Sequence, residues 1–125
     1  MNNSNTHKSV FIVDDSAIVR ERLISRLASV NGLNEIGQAE NATAAISSLE
    51  QTTPDVIILD IQLPDGSGID ILKKIKKERA KTVVIMLTNY PYSVIRKRCE
   101  ELGADFFLDK STEFDEVIEI IKKLN

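Results

Sequence analysis

From residue 8 onward the chain switches five times between a short apolar run and a longer one-sided stretch, and this rhythm leaves few folds open. The pattern predicts strands at 9–14, 34–39, 55–60, 82–88 and 105–109, and helices at 16–30, 41–51, 67–79, 91–102 and 112–124. Four of the strands are runs of Val, Ile, Leu, Met and Phe without polar alternation, as expected of strands covered on both faces. Each helix has a single apolar stripe, as in Leu23, Ile24 and Leu27, or Phe114, Val117, Ile118, Ile121 and Leu124. Strand–helix repetition of this kind requires right-handed crossovers and a parallel sheet with helices on both sides. The expected fold class is therefore α/β, a doubly wound five-stranded parallel sheet. In the last helix Thr112 and Asp115 have the spacing of a capping box, with acids in the first turn and Lys122 and Lys123 in the last.

At 125 residues the chain fits one domain with one core. Its 42% hydrophobic and 28% charged content is that of a soluble globular protein. Charges interrupt every apolar run well short of the roughly 20 residues needed to span a bilayer, and residues 1–8 lack the apolar centre of a signal peptide. A cytoplasmic protein without a membrane partner is the expectation. Residues 1–7 read as a flexible polar tail in which His7 has no companion ligand, and residues 8–125 as the domain. The lone Cys99 lies on an apolar helix side with Ile95 and Leu102 and reads as a small buried hydrophobe.

What stands at the ends of the strands carries the chemistry. Asp14 and Asp15 follow the first strand, Asp60 ends the third, Thr88 the fourth, and Lys110 follows the fifth. The carboxyl edge of an open parallel sheet is where α/β proteins bind ligands, so these five side chains are expected to converge. Three carboxylates close together repel unless a cation joins them. A hard divalent ion such as Mg²⁺, which takes carboxylate, water and phosphate oxygens, resolves the conflict. With the Lys110 ammonium on the other side, the edge is suited to a phosphoryl group and Asp60, the central carboxylate, to being its acceptor.

These residues bring a family into view. The segments Val13-Asp14-Asp15-Ser16, Ile58-Leu59-Asp60-Ile61-Gln62-Leu63-Pro64-Asp65-Gly66-Ser67-Gly68, Met86-Leu87-Thr88 and Gly103-Ala104-Asp105-Phe106-Phe107-Leu108-Asp109-Lys110-Ser111 closely resemble the receiver domain of two-component response regulators, over residues 8–124. The resemblance implies a flavodoxin-like sheet of order 2-1-3-4-5. It implies that Asp60 accepts a phosphoryl group from a histidine kinase or phosphotransfer protein. Mg²⁺ would be held by Asp15, Asp60 and the main-chain carbonyl of Gln62, with Asp14 acting mainly through a metal-bound water. Lys110 would pair with the phosphoryl group, and Thr88 would move to hydrogen-bond it. Phe107 would be the switch aromatic, turning inward and altering the face made by the fourth helix, fifth strand and fifth helix, where an unknown downstream protein or a second copy of the chain would dock. Lacking a hydroxyl, Phe107 is expected to be held in either position by burial alone. Such a domain is not an enzyme in the ordinary sense, although it assists its own phosphorylation and dephosphorylation.

Three departures from the family pattern stand out: Asn89 where a smaller residue is usual, Ser111 where Pro is common, and the pair Gln62 and Tyr90 at positions that tune the lifetime of the phosphorylated state. Ser111 leaves the isomer of the Lys110–Ser111 peptide open. The alternative function is a phosphorylation-independent interaction module on the same fold, with Ile120 in a permanent interface. The cations Lys73, Lys74, Lys76, Lys77, Arg79 and Lys81, without interleaved aromatics, read as a solvated helix face and not as a nucleic-acid site, and Arg96, Lys97 and Arg98 are read similarly, on the expected output face.

Overall fold

The computed structural model describes residues 8–124; the expected tail at 1–7 lies outside the described residues. Five parallel strands, β1 (Lys8–Val13), β2 (Leu33–Ala39), β3 (Val56–Leu59), β6 (Val83–Thr88) and β7 (Phe106–Asp109), form one sheet in the order β2-β1-β3-β6-β7. A ribbon of two-residue strands, β4 (Gln62–Leu63) and β5 (Gly66–Ser67), follows β3 and is antiparallel. With that ribbon set aside, the order is the expected 2-1-3-4-5. The helices are α1 (Ala17–Leu27), α2 (Ala42–Gln51), α3 (Gly68–Glu78), α4 (Ser93–Glu101) and α5 (Glu116–Leu124). None is long and apolar enough to cross a membrane.

Strand parity divides the interior into two layers where a single core was expected. Val13, Ile57, Leu59, Val84, Met86 and Phe107 face α2, α3 and α4, and Cys99 is buried in this layer. Val10, Ile12, Ile58, Ile85, Leu87 and Leu108 face Leu23, Leu27, Val117 and Ile121 of α1 and α5. Successive strand side chains point to opposite faces, so a fully apolar strand must feed two layers. This is the physical reason for the unbroken apolar runs.

All five helices are shorter than their periodicity suggests, α1 and α5 the most. The first ends at Leu27 with Ala28 as its C-cap, and Gly32 takes a positive φ of 84° at the end of the turn that sends the chain into β2. The last starts at Glu116 and not at 112, so the Thr112–Asp115 spacing does not cap it. Residues 110–115 instead form turns tied to Asp109: its carboxylate accepts the Ser111 N–H at 2.8 Å, its carbonyl accepts the Glu113 N–H at 2.8 Å, and the Glu113 carboxylate accepts the Asp109 N–H at 2.9 Å. Asp115 pairs with Arg26 of α1. The Lys110–Ser111 peptide is trans.

Candidate functional site

Parallel pairing aligns the strand ends. Val13 lies beside Leu59, Leu59 beside Met86, and Thr88 beside Asp109, so the residues that follow these strands come to one edge. The Asp60 N–H donates to the Val13 carbonyl at 3.0 Å, and the Lys110 N–H to the Thr88 carbonyl at 2.8 Å.

The Lys110 ammonium sits between two carboxylates, 2.7 Å from Asp14 Oδ2 and 2.9 Å from Asp60 Oδ2. All three side chains are nearly closed to solvent. The second oxygen of Asp14 accepts the Ser16 N–H at 2.8 Å, and that of Asp60 accepts the Ile61 N–H at 2.7 Å. Burial raises the Asp60 carboxyl above the ordinary aspartate range; Lys110 pulls the other way without cancelling it, and the neighbouring Asp14 charge adds to it. For Lys110, burial alone would depress the ammonium, but its hydrogen bonds to Asp14 and Asp60 outweigh that and hold it above the usual lysine value. Such a pair of bonds fixes both carboxylates relative to one cation.

Asp15 is exposed beside the pair, and one carboxylate oxygen from each of Asp14, Asp15 and Asp60 falls within 4.8 Å of the others. Three carboxylates and one ammonium leave two negative charges, which a divalent ion balances. All the donors are hard oxygens, so the set fits Mg²⁺. Gln62 opens β4, where it pairs with Ser67. The ribbon is anchored by Gly68, whose N–H donates to the Ile61 carbonyl and where an added Cβ would lie 1.9 Å from the Asp60 carbonyl oxygen. Asp65, between the ribbon strands, accepts from the Ala42 N–H at 2.6 Å and from the N–H and hydroxyl of Thr43 at 3.0 and 2.6 Å, capping α2. These donors hold the Asp65 carboxyl below the ordinary range.

Thr88 is fully buried at the end of β6, and its hydroxyl oxygen accepts the Tyr90 N–H at 3.0 Å. Phe107 is not at the acidic edge. Phe107 is 6% exposed and packed in the α2–α4 layer, with the Arg96 guanidinium 4.6 Å from its ring centroid and donating to the Phe107 carbonyl at 3.2 Å. The inward ring is therefore held by a cation as well as by burial, contrary to the expectation that burial acts alone. Arg96 had the look of a solvated charge, and only its position one helix turn before the buried Cys99 pointed toward the sheet. Arg20 was also missed: it donates to the Asp14 carbonyl at 2.7 Å and to Gln38 Oε1 at 2.8 Å.

With this geometry in view, comparison with known proteins is decisive. The family model of the response regulator receiver domain matches residues 10–122. The chain belongs to the response regulator receiver family. Among curated relatives, this receiver domain is 32% identical over 114 residues to the chemotaxis protein CheY of Bacillus subtilis, covering 91% of this chain and 94% of that one. It is 36% identical over 103 residues to a protein-glutamate methylesterase/protein-glutamine glutaminase of Treponema denticola, covering 81% of this chain but only 28% of the relative. The first relatives are thus longer proteins of which the receiver spans about a quarter to a half. Among solved structures, the signal receiver domain of a DNA binding response regulator from Colwellia psychrerythraea superposes with a TM-score of 0.86 at 27% identity, covering 94% of this chain and 97% of that one. The receiver is accordingly a signal-transduction domain of two-component systems, with the doubly wound sheet of its relatives.

Proposed function

We propose that this receiver is a phosphorylation switch in which Asp60 accepts a phosphoryl group from a histidine kinase or phosphotransfer protein. The observation that carries the reading is the Lys110 ammonium held between Asp14 and Asp60. An Asp60 oxygen attacks the phosphorus of a phosphohistidine donor; the P–N bond breaks, and its electron pair leaves with the imidazole. Lys110 is within reach of the added oxygens and offsets their charge. Asp14, Asp15, Asp60 and the Gln62 main-chain carbonyl are the proposed ligands of Mg²⁺, which supplies further neutralisation of the transferring group when bound. Thr88, on the neighbouring strand end, exchanges its contact with Tyr90 for a phosphoryl oxygen, and the α4–β7–α5 face reports the change to a downstream protein or a second copy of the chain. Tyr92, Val94 and Phe106 are exposed apolar side chains on the α4 and β7 part of that face.

One observation favours a second reading. Phe107 is buried beneath Arg96 and tied to it through both ring and carbonyl, a hold on the ring that an interaction module needing no phosphorylation would use.

The deciding experiment is intact-protein mass after incubation with a small phosphodonor and Mg²⁺. The switch requires a gain of one phosphoryl group that disappears in Asp60→Asn and in the presence of a chelator. Absence of that gain, in a chain shown separately to bind Mg²⁺, supports the phosphorylation-independent module.

A further inference from the structure

All three oxygens of Asp14 have partners. Oδ1 accepts the Ser16 N–H, Oδ2 accepts Lys110, and the main-chain carbonyl accepts Arg20 Nη1 at 2.7 Å. Arg20 is itself held from the far side, where Nε donates to Gln38 Oε1 at 2.8 Å. Gln38 lies on the edge strand β2, in register with Ile12 of β1, two residues before Asp14. The guanidinium thus braces the β1–α1 turn against the strand next to it.

The braced carbonyl belongs to the peptide that joins Asp14 to Asp15. A peptide unit is planar, so fixing the direction of its C=O also fixes where the Asp15 Cα stands and limits where the Asp15 carboxylate points. Asp15 has greater need of this than its neighbours. Asp14 and Asp60 are buried and tied to Lys110, whereas Asp15 is exposed and its carboxylate takes no hydrogen bond from the described residues. A guanidinium donates along two directions at once, which a lysine ammonium on a flexible stem does not reproduce in a fixed fork.

We infer that Arg20, buttressed by Gln38, is a positioning residue for divalent-cation binding: it sets the orientation of Asp15 through the Asp14 carbonyl without touching the cation. This rests on the proposed cation site at Asp14, Asp15 and Asp60. Two effects of Arg20 have opposite signs. Its positive charge near the acidic edge opposes cation binding, while its bracing favours it. Removing Arg20 therefore tightens binding if charge dominates and weakens it if positioning dominates. Residues that orient metal ligands from outside the coordination shell commonly alter affinity by about tenfold or more.

The test is Mn²⁺ binding to the full, unphosphorylated chain, read from the free-ion electron paramagnetic resonance signal, for wild type, Arg20→Gln, Arg20→Lys, Gln38→Leu and Asp15→Asn. The inference expects the dissociation constant to rise about tenfold in Arg20→Gln, with Arg20→Lys restoring only part of the loss, and to rise by a smaller factor in Gln38→Leu. The Mg²⁺ concentration needed for half-maximal phosphorylation should rise in the same ratios. Circular dichroism establishes that each variant is folded, and Gln38→Leu, which removes only the buttress, keeps the test open if Arg20→Gln does not fold. Unchanged or tighter Mn²⁺ binding in folded Arg20→Gln overturns the inference while leaving the cation site standing. Wild-type binding that Asp15→Asn does not weaken overturns the cation site itself, and the positioning role with it.

Discussion

Arg96 contacts Phe107 twice, through its ring and through its carbonyl, and thereby ties α4 to β7. A cation over an aromatic face contributes roughly 0.5–2 kcal/mol, more as it is desolvated. Arg96→Ala should lower stability by about 1 kcal/mol and release the ring. In a chain carrying 4-fluorophenylalanine, with the Phe107 signal assigned through Phe107→Leu, the wild type should give one buried-ring resonance and Arg96→Ala a broadened or second one. A wild-type ring that already exchanges between environments would show that Arg96 does not hold it.

The raised carboxyl of Asp60 has a thermodynamic consequence of definite sign. A group whose pKa is higher folded than unfolded favours the folded state below its unfolded pKa, and that contribution is lost as pH rises through the folded value. At neutral pH the ionised Asp60 is thus a burden on the metal-free domain. Asp60→Asn should raise the unfolding temperature at pH 7, and the difference should shrink as pH falls toward 4. Calorimetry across that range in chelator checks it; an Asp60→Asn domain less stable than wild type at pH 7 contradicts it.

Gly68 is required by a close approach. An added methyl group would stand 1.9 Å from the Asp60 carbonyl oxygen and 2.8 Å from its carbon, which are backbone atoms that cannot swing aside. Gly68→Ala should cost about 1–3 kcal/mol and shift the peptide that carries Asp60. Denaturant unfolding measures the first effect. Phosphodonor labelling measures the second, and undiminished labelling in a destabilised but folded variant would show that Asp60 keeps its position.

Why some of this was readable in the sequence and some was not comes down to the range of the forces involved. Apolar runs of a strand's length report burial directly, so the parallel sheet and the gathering of Asp14, Asp60 and Lys110 at one edge follow from pattern and topology, whereas the strand order came from the family resemblance. The start of α5 was misplaced because the Thr112–Asp115 spacing is a local signal, overridden by the turns that Asp109 and Glu113 make with each other. Arg20 went unnoticed, and Arg96 was read as a solvated charge of the output face, because a long cationic side chain looks solvated in a sequence. Whether it reaches a carbonyl or a ring depends on packing between helix and sheet.

The Asp65 cap also bears on the order in which the chain is made. The first donors of α2 are satisfied by a residue 23 positions after Ala42, beyond β3. At a synthesis rate of about 5–20 residues per second, Ala42 is added to the chain roughly one to five seconds before its partner. During that interval α2 has only Asn41, which receives the Ala44 N–H, to close its first turn. The helix is completed in retrospect, when the segment beside Asp60 arrives and folds over it.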